Sequence, residues 1–228
     1  SKASKKLNAP LYVIGDNIKV NTNSKSIIKV KIDENLISFK KPSLLGDYQN
    51  TNAVLAISSL IICKNNIQNF NLQNSLQGIS KTVWPARMQK IKKGPLIKLI
   101  NKNFNKQIIL DGSHNPSGIQ SLVRNLRKCS SEQWQFIFGS INTRNPTDLL
   151  NYLKPITSLL VTLKIPNQKN SYSAFELENK ANKLGLNAVS ANSLNDALNL
   201  VSKDRLPVCI CGSLYLAGYF LKINRNKL

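Results

Sequence analysis

From Gln107 onward, short apolar runs alternate with stretches whose apolar residues return every three or four positions. The first spacing fits a buried strand, the second a helix that hides one face. Residues 107–110 read as a strand, and Ile119, Leu122, Val123 and Leu126 mark one side of the helix after it. Pro116 suits that helix's first turn and Asn115 its cap. Residues 134–139 read as the next strand, with Thr147 capping a short helix to Leu153. Residues 158–165 are β-rich. Ser173 and Glu176 then form a capping box, opening a helix that Gly185 closes. A short strand at 186–190, a helix from Ser193 to Val201, an apolar strand at 207–211 and a helix at 214–222 complete the series. Five such units predict an α/β fold with a mostly parallel, Rossmann-like sheet and helices on both faces.

The first eighty residues follow another pattern. Stretches 11–14, 27–32 and 36–39 look like short strands between polar turns, and Ala53, Ile57, Leu60 and Ile61 share a helix face. This is too little chain for a second complete sheet domain. The turn residues of 78–85 mark a linker, so we divide the chain into 1–81 and 82–228.

Composition narrows the classes. The 228 residues carry a net charge of +21, which raises nucleic-acid binding first. The lysines are scattered, however, and aromatic residues, at 7%, do not interleave with them as a stacking platform would. An anionic small substrate is served equally well by a positive field. No apolar stretch is long enough for a membrane span and the N-terminus lacks a signal-peptide core, so we expect a cytoplasmic protein with no membrane partner. The four cysteines have neither disulfide nor zinc spacing and we expect no metal ligands here. Cys209 and Cys211 alternate with Ile210 and face one side of their strand. The sole methionine is Met88, so we expect either removal of an initiator or an upstream portion.

Candidate chemistry gathers at Asp111-Gly112-Ser113-His114-Asn115-Pro116, which holds the only histidine. A carboxylate, an imidazole and an amide meet there at a strand's carboxyl end and a helix's start. Open α/β sheets bind ligands at such places, and helix starts favour anions. Ser213 follows the last strand, and Arg87 stands just past the linker. Neither a G-x-x-x-x-G-K-[ST] phosphate loop nor a G-x-G-x-x-G turn occurs.

These residues carry a resemblance. Leu44-Leu45-Gly46-Asp47-Tyr48-Gln49-Asn50-Thr51-Asn52, Trp84-Pro85-Ala86-Arg87, the 110–116 turn, Phe138-Gly139 and the 211–218 run resemble the ordered landmarks of the folylpolyglutamate synthase / dihydrofolate synthase family of the Mur ligase superfamily. The resemblance implies that 82–228 is the smaller C-terminal α/β domain and 1–81 the tail of the central ATPase domain. The phosphate loop, the magnesium ligands and the pterin-binding residues would then lie upstream of Ser1. It implies an ATP- and Mg2+-dependent ligase adding L-glutamate to dihydropteroate or folates through an acyl phosphate. By itself the chain would be inactive, and as a whole the protein would be monomeric with no nucleic-acid partner. Asn52, Arg87 and Asp111 would contact ATP, Asp111 at the ribose or base. His114, also the candidate catalytic group, and Ser213 would line the glutamate and phosphate side. Ala86 stands where the family usually has Gly, Ser113 where it has Ala, and Arg144-Asn145 where it has Lys-Asp. Two alternatives remain: a muramyl-peptide ligase of the same superfamily and a basic nucleic-acid-binding module.

Overall fold

The computed structural model describes residues 1–22, 26–101, 105–143 and 145–225. They form two compact units, Ser1–Val83 and Trp84–Leu228.

The first unit opens with a short helix, α1 (Lys2–Lys6). Three antiparallel strands follow, β1 (Ile18–Asn21), β2 (Ile27–Ile32) and β3 (Asn35–Lys40), in the order β1-β2-β3. Alternation decides which face is buried: Ile28, Val30, Ile32, Ile37 and Phe39 point inward, while Lys29 and Lys31 point out. Against the apolar face pack α2 (Tyr48–Ile62), through Ala53, Val54, Ile57 and Ile61, and α3 (Leu72–Lys81), through Leu72, Leu76 and Ile79. Two expectations fail. The stretch 11–14 is not a strand but irregular chain ending in an isolated bridge from Ile14 to Ile18, and the Asn17 side chain holds it by accepting from the Val13 N–H (2.6 Å) and donating to the Leu11 carbonyl (2.9 Å). Strand β1 comes after it. The expected linker also starts too early, since Gly78 to Lys81 form the last turn of α3.

The second unit is a six-stranded sheet in the order β4-β5-β9-β6-β7-β8. Its strands are β4 (Gln89–Lys90), β5 (Ile108–Leu110), β6 (Trp134–Phe138), β7 (Thr157–Leu163), β8 (Ala188–Ala191) and β9 (Val208–Cys211). All neighbours are parallel except β4, which runs antiparallel to β5. The patterning does not announce β4, which is only Gln-Lys. On one face lie α5 (Pro116–Cys129), α6 (Thr147–Leu153) and α7 (Ala174–Lys183). On the other lie α4 (Pro95–Ile100), α8 (Leu194–Val201) and α9 (Leu214–Arg225). Thr147 does not cap α6 but is its first helical residue: the N-cap is Pro146, and Asn145 Oδ1 just before it accepts from the Thr147 N–H (3.1 Å). Cys209 and Cys211 face the first layer and Ile210 the second, as alternation requires.

The order of strands follows from handedness. The chain moves outward through β5, β6, β7 and β8 with its helices on one face. It then returns through α8 on the opposite face and inserts β9 between β5 and β6. Reversing both direction and face keeps every crossover right-handed. At the carboxyl ends of β5 and β9, therefore, the chain departs to opposite faces. That is a topological switch point, where loops diverge and leave a crevice. At the other end of the sheet Lys106 is buried, donating to the Val201 carbonyl and facing Asp204 at 3.8 Å.

Candidate functional site

Three segments converge on the switch point. The first is 111–115 after β5, the second is Gly212-Ser213 after β9, and the third is 86–88 entering β4. Because β4 is antiparallel to β5, with Gln89 opposite Leu110, its start lies beside the carboxyl end of β5. That pairing brings Arg87 next to Asp111, although 24 positions separate them.

Backbone hydrogen bonds sew the segments together. The Gly112 N–H donates to the Ala86 carbonyl (2.8 Å) and the Gly212 N–H to the Ser113 carbonyl (3.1 Å). Gly212 has φ +99°, and a Cβ there would stand 2.6 Å from the Gly139 carbonyl oxygen and 2.7 Å from the Phe138 ring. Only glycine meets both demands.

Asp111 is 1% exposed. Its Oδ2 accepts from the Met88 N–H (2.8 Å), and its Oδ1 accepts from the Ser113 N–H (2.8 Å) and from the Ser113 hydroxyl. The carboxylate thus meets three of the protein's own donors, which hold the turn in place.

His114 is half-buried, with Nδ1 at 2.8 Å from the Gly112 carbonyl oxygen. A carbonyl only accepts, so Nδ1 carries a proton there, and Nε2 is the ring's other polar atom. Asn115 caps α5, its Oδ1 accepting from the Gly118 N–H at 2.8 Å, and Pro116 occupies the first turn. Ser213 is buried, and its Oγ accepts from the Tyr215 N–H (3.1 Å), leaving its own proton to give. The positive ends of α5 and α9 therefore both face this cluster.

Arg87 is half-buried between two left-handed residues, Ala86 (φ +55°) and Met88 (φ +47°). No hydrogen bond or ion pair engages its guanidinium among the described residues. A free planar cation beside two helix starts suits phosphate oxygens.

Asn52 belongs to the other unit. It lies on the exposed side of α2, with its Nδ2 donating to Gln49 Oε1 (3.2 Å). Arg144 lies outside the described residues. Among those residues no group of three or more His, Cys, Asp and Glu could hold a metal ion. Sequence reasoning did not foresee that Met88 and Ser113 supply Asp111's donors. The one trace was an alanine standing where a glycine is usual, which is what a left-handed backbone leaves behind.

Residues 96–223 match the family described as dihydrofolate synthetase, C-terminal domain. The folylpolyglutamate synthase of Lacticaseibacillus casei is 30% identical over 188 residues, 80% of this chain and 40% of the relative. The dihydrofolate synthetase of Saccharomyces cerevisiae is 26% identical over 202 residues, 82% of this chain and 46% of that protein. Among solved structures, Mycobacterium tuberculosis folylpolyglutamate synthase complexed with ADP and AMPPCP superposes with TM-score 0.78 at 17% identity. It covers 99% of this chain, which spans 52% of it. Escherichia coli FolC in complex with DHPP and ADP gives 0.76 at 15% identity, covering 97% of this chain and 49% of its own. The chain thus spans about half the length of these proteins or less.

Proposed function

The chain belongs to the dihydrofolate synthetase C-terminal-domain family, and from that membership we propose that it serves an ATP-dependent ligase joining L-glutamate to dihydropteroate, to folates, or to both. In that reaction the γ-phosphoryl group of ATP passes to a carboxylate of the pterin substrate and ADP leaves. The glutamate amine then attacks the acyl carbon, forming the amide and releasing phosphate. Such chemistry asks a protein chiefly to position reactants and to neutralise charge.

The observation that carries this reading is Arg87, an unpaired guanidinium at the switch point beside the positive ends of α5 and α9. We assign Arg87 to the phosphate oxygens. To His114 Nε2 and the Ser213 hydroxyl we assign the glutamate and phosphate side, and to Asn52 a contact with ATP. The magnesium that accompanies ATP would sit on phosphate oxygens and on protein ligands other than these, since the described residues offer no carboxylate–histidine cluster. Four free thiols accord with a reducing cytoplasm, and no described helix is long and apolar enough to cross a membrane. We take the working protein to be a monomer without a nucleic-acid partner.

The assay is direct. The protein carrying this chain, given Mg-ATP, should release ADP only when a pterin substrate and L-glutamate are both present. Arg87→Ala should lower kcat/KM for ATP by about a hundredfold through the lost charge stabilisation. Glutamate-independent turnover, or a muramyl-peptide product, would overturn the assignment.

A further inference from the structure

We propose that β8 is a latent docking edge for a second copy of the chain, and that Asn182 is the side chain that keeps it closed. The strand ends the six-stranded sheet: β7 pairs with one side, and among the described residues no strand pairs with the other. An outer edge offers unpaired N–H and C=O groups to any extended strand, and proteins blunt it with lysine, proline, a bulge or extreme shortness. The opposite edge, β4, is two residues long and carries Lys90. Strand β8 is longer and has none of the other devices. Its Ala188-Val189-Ser190-Ala191 is uncharged in a chain of 32 lysines and arginines, contains no proline, and pairs with β7 in unbroken register.

Helix α7 supplies the missing device. Gly185, at φ +76°, turns the chain back just after the helix, so that β8 runs beside the last turn of α7. There the Ala188 N–H donates to Asn182 Oδ1 (3.1 Å), and Asn182 Nδ2 donates to the Ala188 carbonyl (3.4 Å). One primary amide holds an acceptor and a donor, so it meets both backbone groups of a residue as a neighbouring strand would. The outward groups recur at every second position. Asn187 faces β7, its carbonyl accepting from the Leu160 N–H (2.9 Å), so Ala188 and Ser190 face out. No described side chain covers Ser190 in the same way. The occupant follows from that pattern. Two copies related by a two-fold axis would set Ala188 opposite Ser190 and Ser190 opposite Ala188, each pair exchanging both its bonds. With Asn182 on Ala188 every such pair loses a member, and the chain stays single.

The test compares the full protein with its Asn182→Ala variant by sedimentation velocity over a concentration series. The buffer holds about 0.15 M salt, which screens the net charge beyond about 8 Å. Asn182→Ala should dimerise at least about tenfold more tightly than the wild type. Adding Ser190→Pro, which removes the second outward N–H at an edge position that tolerates proline, should restore wild-type behaviour. Hydrogen exchange locates the contact: the Ala188 amide should exchange faster in the dilute variant, and the Ser190 amide should slow as the variant is concentrated. A folded Asn182→Ala that sediments like the wild type at every concentration overturns the proposal. So does association that leaves Ser190 exchange unchanged or survives Ser190→Pro, because another surface then carries it. Should Asn182→Ala fail to fold, Asn182→Asp takes its place. It keeps the bond from the Ala188 N–H, loses the one to the carbonyl, and should dimerise by a smaller factor; a folded Asn182→Asp indistinguishable from the wild type overturns the proposal equally.

Discussion

An alanine at φ +55° beside Arg87 is held against its own preference. The left-handed region costs an L-residue about 1–2 kcal/mol, because Cβ crowds the following carbonyl. Glycine escapes that cost, yet gives back about 0.5–1 kcal/mol in lost chain freedom on folding. Ala86→Gly should therefore stabilise the second unit by about 0.5–1 kcal/mol, read as a rise in the denaturant midpoint without a change of slope. A loss of stability would mean that the buried Ala86 methyl contributes more packing than the backbone strain costs. At this scale the sequence was legible as to which turns meet, since those that carry His114, Arg87 and Ser213 converge at the switch point. It was not legible for Asp111, because the donors that occupy its carboxylate are the backbone of Met88, far away in sequence, and a hydroxyl that alternation cannot orient.

Elements with strong periodicity or explicit caps were readable in advance. Helix α5 begins at the Asn115-Pro116 signal, and α7 begins at Ser173 with both halves of its capping box made. Strand β4 was not readable, since two polar residues pair with β5 only because the fold brings them there. The first turn of α7 also yields a prediction. Glu176 is held below the ordinary glutamate range, chiefly by the Ser173 backbone N–H it accepts and then by the Ser173 hydroxyl. A lowered carboxyl pKa stabilises the fold above its unfolded value, and that contribution disappears as pH falls through the folded one. Unfolding followed at decreasing acidic pH should show this loss in the wild type. Ser173→Ala should remove the cap, at a cost of about 1 kcal/mol near neutral pH, yet weaken the acid dependence from Glu176 only in part, because alanine keeps the backbone N–H. Glu176→Gln removes the carboxyl and should flatten that dependence, and an acid profile that keeps its slope in Glu176→Gln would assign it to other carboxylates.

At the scale of the whole molecule, 32 basic residues face 11 acidic ones, and the fold must tolerate a net charge of +21. Self-repulsion on that scale destabilises a compact state and is relieved by screening. The screening length falls from about 30 Å at 0.01 M salt to about 8 Å at 0.15 M, so sodium chloride over that range should raise the melting temperature of wild type and Arg87→Ala alike. A phosphate-bearing ligand should behave differently. If the switch point is the anion site, inorganic tripolyphosphate should stabilise beyond chloride at matched ionic strength, with a saturable increment governed by its affinity. Arg87→Ala should erase that increment and leave the chloride response intact. Equal responses to both anions in the wild type would reduce the positive field to general repulsion. A tripolyphosphate increment that survives in Arg87→Ala would instead move the anion away from the switch point, to lysines elsewhere on the molecule.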